Sequence, residues 1–198
     1  MRVILPSIER PKKLPVVLSQ REIKQLLRTP KLLKHRLVLG MLYGSGLRNF
    51  ELRNLQRRDL DFDRKMVHVR QGKGRKDRYV PLSEMQIRGL KKYFLAENPV
   101  TWCFTGNDKT GSPVQLSSQG IQWIVREARK RSGIQKEITA HILRHSYATH
   151  LLEMGLDIMS VKDLLGHADI QTTLIYLHVA QSGRQKPFSP LDGLYGKG

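Results

Sequence analysis

Apolar positions along the chain recur mostly at helical spacing. Ile23, Leu26 and Leu27 line one side of a segment opened by Ser19-Gln20-Arg21-Glu22. That opening is a capping box, in which Ser accepts from the third amide and Glu reaches back. Thr29-Pro30 restarts the chain, since Thr caps helices and Pro suits a first turn. Leu32 to Tyr43 then reads as a buried helix through Leu33, Leu37, Leu39, Met41 and Leu42, ended by Gly44-Ser45-Gly46. A short helix follows from Arg48 to Leu55, with Phe50, Leu52 and Leu55 inward. The period changes to two over Met66–Arg70 and Arg78–Leu82, which predicts a β-hairpin with Gly72-Lys73-Gly74 near its tip. Ser83-Glu84-Met85-Gln86 is a second capping box and starts a helix to about Ala96.

Residues 99–116 read as loop, with one short strand at Trp102–Phe104. Four helical segments come after it. The first runs from Ser118 to Arg131 and closes at Ser132-Gly133; the second, capped by Thr139, runs from about His141 to Met154. In the second, Leu143, Tyr147, Leu151 and Leu152 fall at core spacing and Gly155 is the stop. A third follows Asp157 and ends at Leu165-Gly166, and a fourth runs from Gln171 to about His178. The pattern predicts a mainly α fold with one small antiparallel β element, an α+β class. It divides the chain into a basic linker-like segment, 1–18, punctuated by Pro6, Pro11 and Pro15; one domain, 19–180; and a polar Pro/Gly-rich tail, 181–198.

Charge narrows the partner. The chain has 198 residues, 35 Lys+Arg and 17 Asp+Glu, giving a net charge of +18. A surplus of that size favours a polyanion, most commonly nucleic acid. The basic residues are spread through patterned segments and not gathered in a tail, so a folded domain with a basic face is expected. The single cysteine, Cys103, excludes an intramolecular disulfide and a Cys-rich zinc site, and fits a reducing cytoplasm. No stretch approaches the ~20 apolar residues of a membrane span, and no signal-peptide core follows the basic start.

Four stretches offer groups suited to a phosphate. Arg48 follows a tight turn; Lys73 sits in Gly72-Lys73-Gly74; His141 and Arg144 share a helix face at i and i+3; His167 and Tyr176 lie nine residues apart across a helix stop and a new helix. Each fragment alone is ordinary: a lone arginine is usually a surface residue and a tyrosine on a short apolar helix usually core. His141 and His145 have a metal-like spacing of four but no companion Glu or Cys, so no metal site is expected. His145 and His150 read as structural or satisfied histidines.

In order and with their flanks, these residues resemble the tyrosine recombinase (phage integrase) family. The flanks are Tyr43-Gly44-Ser45-Gly46-Leu47-Arg48 with Glu51-Leu52, Gly72-Lys73-Gly74-Arg75-Lys76-Asp77-Arg78 with Val80-Pro81-Leu82, His141-Ile142-Leu143-Arg144-His145 through Leu152, Leu164-Leu165-Gly166-His167, and Ile175-Tyr176-Leu177-His178. The resemblance spans about residues 15 to 180 and includes Xer-type recombinases; Phe188-Ser189-Pro190-Leu191-Asp192 also resembles the tail of integron integrases.

The resemblance implies the catalytic-domain fold of that family and cleavage and rejoining of double-stranded DNA, with no cofactor, metal or ATP. Tyr176 would be the nucleophile, forming a 3′-phosphotyrosyl bond. Arg48 and Arg144 would clamp the phosphate, Lys73 would protonate the 5′ leaving oxygen, His141 would exchange the tyrosine proton, and His167 would donate to the phosphate. Arg75, Lys76 and Arg78 would contact DNA. The family's separate N-terminal DNA-binding domain has no counterpart in this sequence. The family assembles as four protomers on two duplexes, although free catalytic domains can be monomeric. A type IB topoisomerase-like enzyme and a non-catalytic DNA-binding regulator are the rival classes.

Overall fold

The computed structural model describes residues 15–70 and 77–180. Its first helix, α1 (Gln20–Arg28), starts where the sequence places it: Ser19 accepts from the Glu22 amide and the Glu22 carboxylate accepts from the Ser19 amide at 2.7 Å. Thr29 plays a different part from the expected one. Its hydroxyl donates to the Leu26 carbonyl at 2.8 Å and so closes α1, while α2 (Leu33–Gly44) begins three residues after Pro30 with no side-chain cap. α2 lies at the centre of the molecule, against α1, α4 (Glu84–Glu97), α5 (Ser118–Ser132) and α6 (Ala140–Glu153). Val38, Leu39, Met41 and Leu42 of α2 are fully buried there.

Between α2 and α4 come α3 (Asn49–Arg53), a 3-10 turn at Arg57–Asp59, and a three-stranded antiparallel sheet of β1 (Leu60–Asp61), β2 (Met66–Val69) and β3 (Arg78–Pro81). The β2–β3 register pairs Val67 with Val80 and Val69 with Arg78. Val67, Val69 and Val80 face the core, as period-two alternation requires.

A second antiparallel hairpin, β4 (Thr105–Asn107) with β5 (Pro113–Gln115), occupies the stretch read as loop, and Trp102 forms only an isolated bridge to Gln56. The hairpin escaped detection because Thr-Gly-Asn and Pro-Val-Gln carry little strand propensity. Its turn is closed by Asp108, whose Oδ1 accepts from the amides of Thr110 and Ser112.

The last third is helical as expected. Thr139 caps α6, Asp157 caps α7 (Ile158–Leu165) by accepting from the amides of Met159 and Ser160, and α8 (Gln171–Ala180) follows. α6, α7 and α8 pack together over a small apolar cluster of Ala148, Leu152, Val161, Leu165 and Ala180, with Tyr147 and Tyr176 among them. α6 is buried nearly all round, and its interior residues include Arg144, His145, Ser146, Thr149 and His150. Buried polar groups need partners, and those partners define the site. Among the described residues no helix is long and apolar enough to cross a membrane.

Candidate active site

Gly46 starts the site. Its φ of +60° falls in the left-handed region, and a Cβ there would lie 2.4 Å from the Tyr147 ring. Only glycine fits both conditions. The turn delivers Arg48 to the N-cap of α3, where its amide donates to Glu51 Oε2 at 2.8 Å and its guanidinium to Glu51 Oε1 at 2.7 Å. Arg144 projects from α6 toward the same place. It donates to the Gly46 carbonyl at 2.7 Å and to the Leu165 carbonyl, and its Nη1 lies 3.6 Å from Glu51 Oε2. Arg144 is 1% exposed.

Arg78 is the third arginine on Glu51. The sequence suggested a DNA contact, but the structure buries it: it donates to both Glu51 oxygens, at 2.9 and 2.8 Å, and to the Leu164 carbonyl at 2.7 Å. Alternation contained the signal, because Arg78 shares its strand face with Val80. Lys73, Arg75 and Lys76, in the β2–β3 connection, lie outside the described residues.

The three guanidiniums therefore meet three successive carbonyls at the end of α7. Arg78 takes Leu164, Arg144 takes Leu165, and Arg48 takes Gly166 at 3.3 Å. These are unsatisfied acceptors at the negative end of a helix, a favourable position for cations. Gly166, at φ +62°, turns the chain out of α7. His167 comes next, its Nδ1 2.9 Å from the Thr173 hydroxyl at the start of α8.

Tyr176 projects from α8 into this group and is 1% exposed. Its hydroxyl lies 2.6 Å from His145 Nδ1, its ring stacks 6.3 Å from that of His167, and His141 packs edge-on against His145 at 3.9 Å between centroids. His150 is the structural histidine that the sequence suggested, hydrogen-bonded to Tyr43 at 2.9 Å. His145 is satisfied as well, but its partner is the tyrosine that the resemblance marks as reactive. Its i+4 relation to His141 was visible in the sequence; its partner on α8 was not.

Electrostatics follow from burial inside a cationic group. Burial would raise the Glu51 carboxyl, but the bonds and charge of Arg78, with Arg48 and Arg144, bring it down to about 2. Glu51 is therefore ionised and offsets part of the three positive charges. Burial, then Arg48, lowers Arg144 to about 9, which leaves it cationic at neutral pH. Burial raises the Tyr176 phenol, and Arg144 and Arg48 oppose that rise. Burial lowers His145 to about 4, aided by His141 and Arg144. Burial and then Arg144, Arg48 and Arg78 lower His167 to about 3. Both imidazoles are neutral at pH 7. Among the described residues no group of three or more His, Cys, Asp or Glu is placed to hold a metal ion.

A buried tyrosine thus lies among arginines and neutral histidines on an α+β scaffold, a cationic arrangement suited to an anion such as phosphate. The chain belongs to the phage integrase family, whose pattern matches residues 16–182. It is 39% identical over 171 residues to tyrosine recombinase XerA of Thermococcus onnurineus, covering 85% of this chain and 60% of that one. It is 38% identical over 189 residues to a putative integrase/recombinase, y4qK, of Sinorhizobium fredii, covering 96% of this chain and 60% of that one. The chain thus spans about three fifths of the length of these curated relatives. The crystal structure of XerA recombinase superposes with a TM-score of 0.77 at 30% identity, over 92% of this chain and 68% of that one. XerH site-specific recombinase, in a post-cleavage complex with its palindromic difH substrate, gives 0.72 at 25% identity, over 92% and 53%. The fold is that of the tyrosine recombinase catalytic domain.

Proposed function

We propose that this chain is the catalytic unit of a site-specific DNA recombinase, which cuts and rejoins strands through a 3′-phosphotyrosyl bond. The observation that carries the reading is the convergence on Tyr176 of groups from α3, α6 and the α7–α8 connection. Tyr176 Oη attacks phosphorus. Arg48 and Arg144 bind the non-bridging oxygens, where charge grows in the pentacoordinate transition state. Their carbonyl and Glu51 partners hold them ready before substrate arrives.

His167 donates to the phosphate through its Nε2–H, with Nδ1 held by the Thr173 hydroxyl. Lys73 protonates the 5′ oxygen as it leaves, and His141 takes part in moving the tyrosine proton. Arg75 and Lys76 hold the DNA backbone. Arg78 acts at one remove, by orienting Glu51. The covalent link conserves the bond energy, so a 5′-hydroxyl reseals the strand without ATP. The arginine charge supplies what a metal would otherwise provide, so cleavage proceeds in EDTA.

The partner is double-stranded DNA, in keeping with the XerH–difH complex. We infer four protomers on two duplexes during recombination, a monomer when free, and a cytoplasmic setting, which suits the buried free thiol of Cys103. The test is an SDS-resistant protein–DNA adduct on nicked suicide duplexes. The wild type forms it; Tyr176→Phe binds DNA and forms none. Adduct formation by Tyr176→Phe would remove Tyr176 from its role, and binding without adduct in the wild type would make the chain a regulator.

A further inference from the structure

We propose that His145 is the proton acceptor for Tyr176, with His141 passing that proton outward to solvent. The inference rests on the reading of Tyr176 as nucleophile, and deepens it.

Geometry carries the argument. Tyr176 Oη and His145 Nδ1 are 2.6 Å apart, within reach of direct proton transfer. Both residues are buried, so bulk water is a poor competitor as acceptor. His141 is four residues earlier on the same helix face. It is exposed and packs edge-on against His145 at 3.9 Å. Phenol, buried imidazole and exposed imidazole therefore touch in succession. Arg144, next in sequence to His145, points to a different side of α6 and binds Gly46 and Leu165. One helix thus presents an anion clamp and a base on adjacent faces.

The groups facing His145 fix its state. His141 and Arg144 face it from α6, His167 from the α7–α8 connection, and Tyr176 from α8. Burial first, then His141 and Arg144, keep the imidazole neutral. A neutral imidazole that accepts at Nδ1 carries its proton on Nε2. A bound phosphodiester brings negative charge beside Arg48 and Arg144. That charge offsets theirs and raises the basicity of His145 when the proton must move.

The step balances. The Tyr176 O–H bond breaks and its proton goes to Nδ1, giving imidazolium. The Oη–phosphorus bond forms, and the phosphorus–5′-oxygen bond breaks with its electron pair leaving on oxygen, which a separate acid protonates. Resealing runs the same path backward, with His145 returning a proton to Oη. His145 touches a reacting atom, so the role is catalytic.

Two measurements on the full 198-residue chain test this. The first needs no DNA. Imidazole nitrogen NMR is expected to show His145 as the Nε2–H tautomer, with an Nδ1 signal that shifts in Tyr176→Phe. An Nδ1–H tautomer, or an Nδ1 signal indifferent to Tyr176→Phe, overturns the proposal.

The second follows adduct formation on a randomised library of nicked duplexes, with either oxygen or sulfur at the 5′ leaving position. Sulfur leaves without a proton, so it bypasses the leaving-group acid and keeps the demand on the base. His145→Asn places a hydrogen-bonding atom near Nδ1 that cannot become a cation. Expected are unchanged DNA affinity, a loss of ~10²-fold or more in adduct rate on both substrates, and loss of the acid limb of the pH–rate profile. Wild-type or faster cleavage by His145→Asn would show a resting latch instead, and rescue by sulfur would assign it to the leaving group; either sinks the inference. Adduct in Tyr176→Phe sinks the underlying reading, which keeps the two failures separate.

Discussion

Arg78 grips both carboxylate oxygens of Glu51, at 2.9 and 2.8 Å, with each side chain under a tenth exposed. A buried two-pronged pair of this kind is costly to break on one side only, because the other charge is left without a partner. Arg78→Ala is therefore expected to lower stability by ~3–5 kcal/mol, as read from urea unfolding. Loss of under 1 kcal/mol would show that water replaces the guanidinium. Arg78→Met with Glu51→Leu is not expected to recover that stability, because Glu51 also binds Arg48 and faces buried Arg144, whose charges the double variant leaves uncompensated.

Arg48 and Arg144 are expected to differ in how they tolerate lysine. Arg144 reaches two carbonyls, Gly46 and Leu165, through its two terminal nitrogens, a fork that a single ammonium does not reproduce. Arg144→Lys and Arg144→Ala should both slow adduct formation by ~10²–10³-fold. Arg48 is bound mainly through one nitrogen to Glu51, so Arg48→Lys should retain more activity than Arg48→Ala. Single-turnover rates on suicide duplexes decide this, and equal rates for Arg144→Lys and wild type would remove the need for a fork.

Gly46→Ala is expected to destabilise by ~1–3 kcal/mol from backbone strain alone, with a further loss from the Tyr147 ring 2.4 Å away. Both parts bear on the site, since the Gly46 carbonyl holds Arg144. Adding Tyr147→Ala should relieve the steric part and leave the strain. Thermal melting of the single and double variants separates them; a melting point unchanged in Gly46→Ala would contradict the account.

Acid should weaken the fold before any carboxylate of the site titrates. His145 has a folded value near 4 against 6.5 for an ordinary imidazole. Above pH 6.5 neither folded nor unfolded chain protonates it. Between 6.5 and 4 the unfolded chain binds a proton that the folded chain excludes, so stability falls as pH drops. At pH 5 the loss from His145 is about 2 kcal/mol, and His167, lowered to about 3, adds in the same direction. Glu51, near 2, remains ionised throughout this window. Urea midpoints at pH 7 and pH 5 test the claim, and identical midpoints would refute it.

DNA affinity should fall steeply with salt, because the net charge of +18 implies mostly phosphate contacts. Titrations at several salt concentrations give the slope, and a flat response would argue for a different binding mode.

Much of this architecture was legible in local chemistry. Capping boxes at Ser19 and Ser83, the caps at Thr139 and Asp157, and the valine alternation of β2 and β3 act within a few residues, and each fell where expected. What stayed hidden depends on distant partners. Arg78 looked like a surface cation because Glu51 is 27 residues away, and His145 looked inert because Tyr176 is 31 away. The β4–β5 hairpin was missed for another reason: a turn, not strand propensity, builds it.

The end of α7 has a consequence for the timing of activity. Its three carbonyls bind arginines that are 86, 21 and 118 residues distant along the chain. Contacts of such long sequence separation form late, after local helices and turns are in place. A partly unfolded chain therefore lacks the assembled arginine cluster, although it keeps its net charge of +18. On the proposed reading, completion of the fold is what brings Tyr176 and its arginine clamp together.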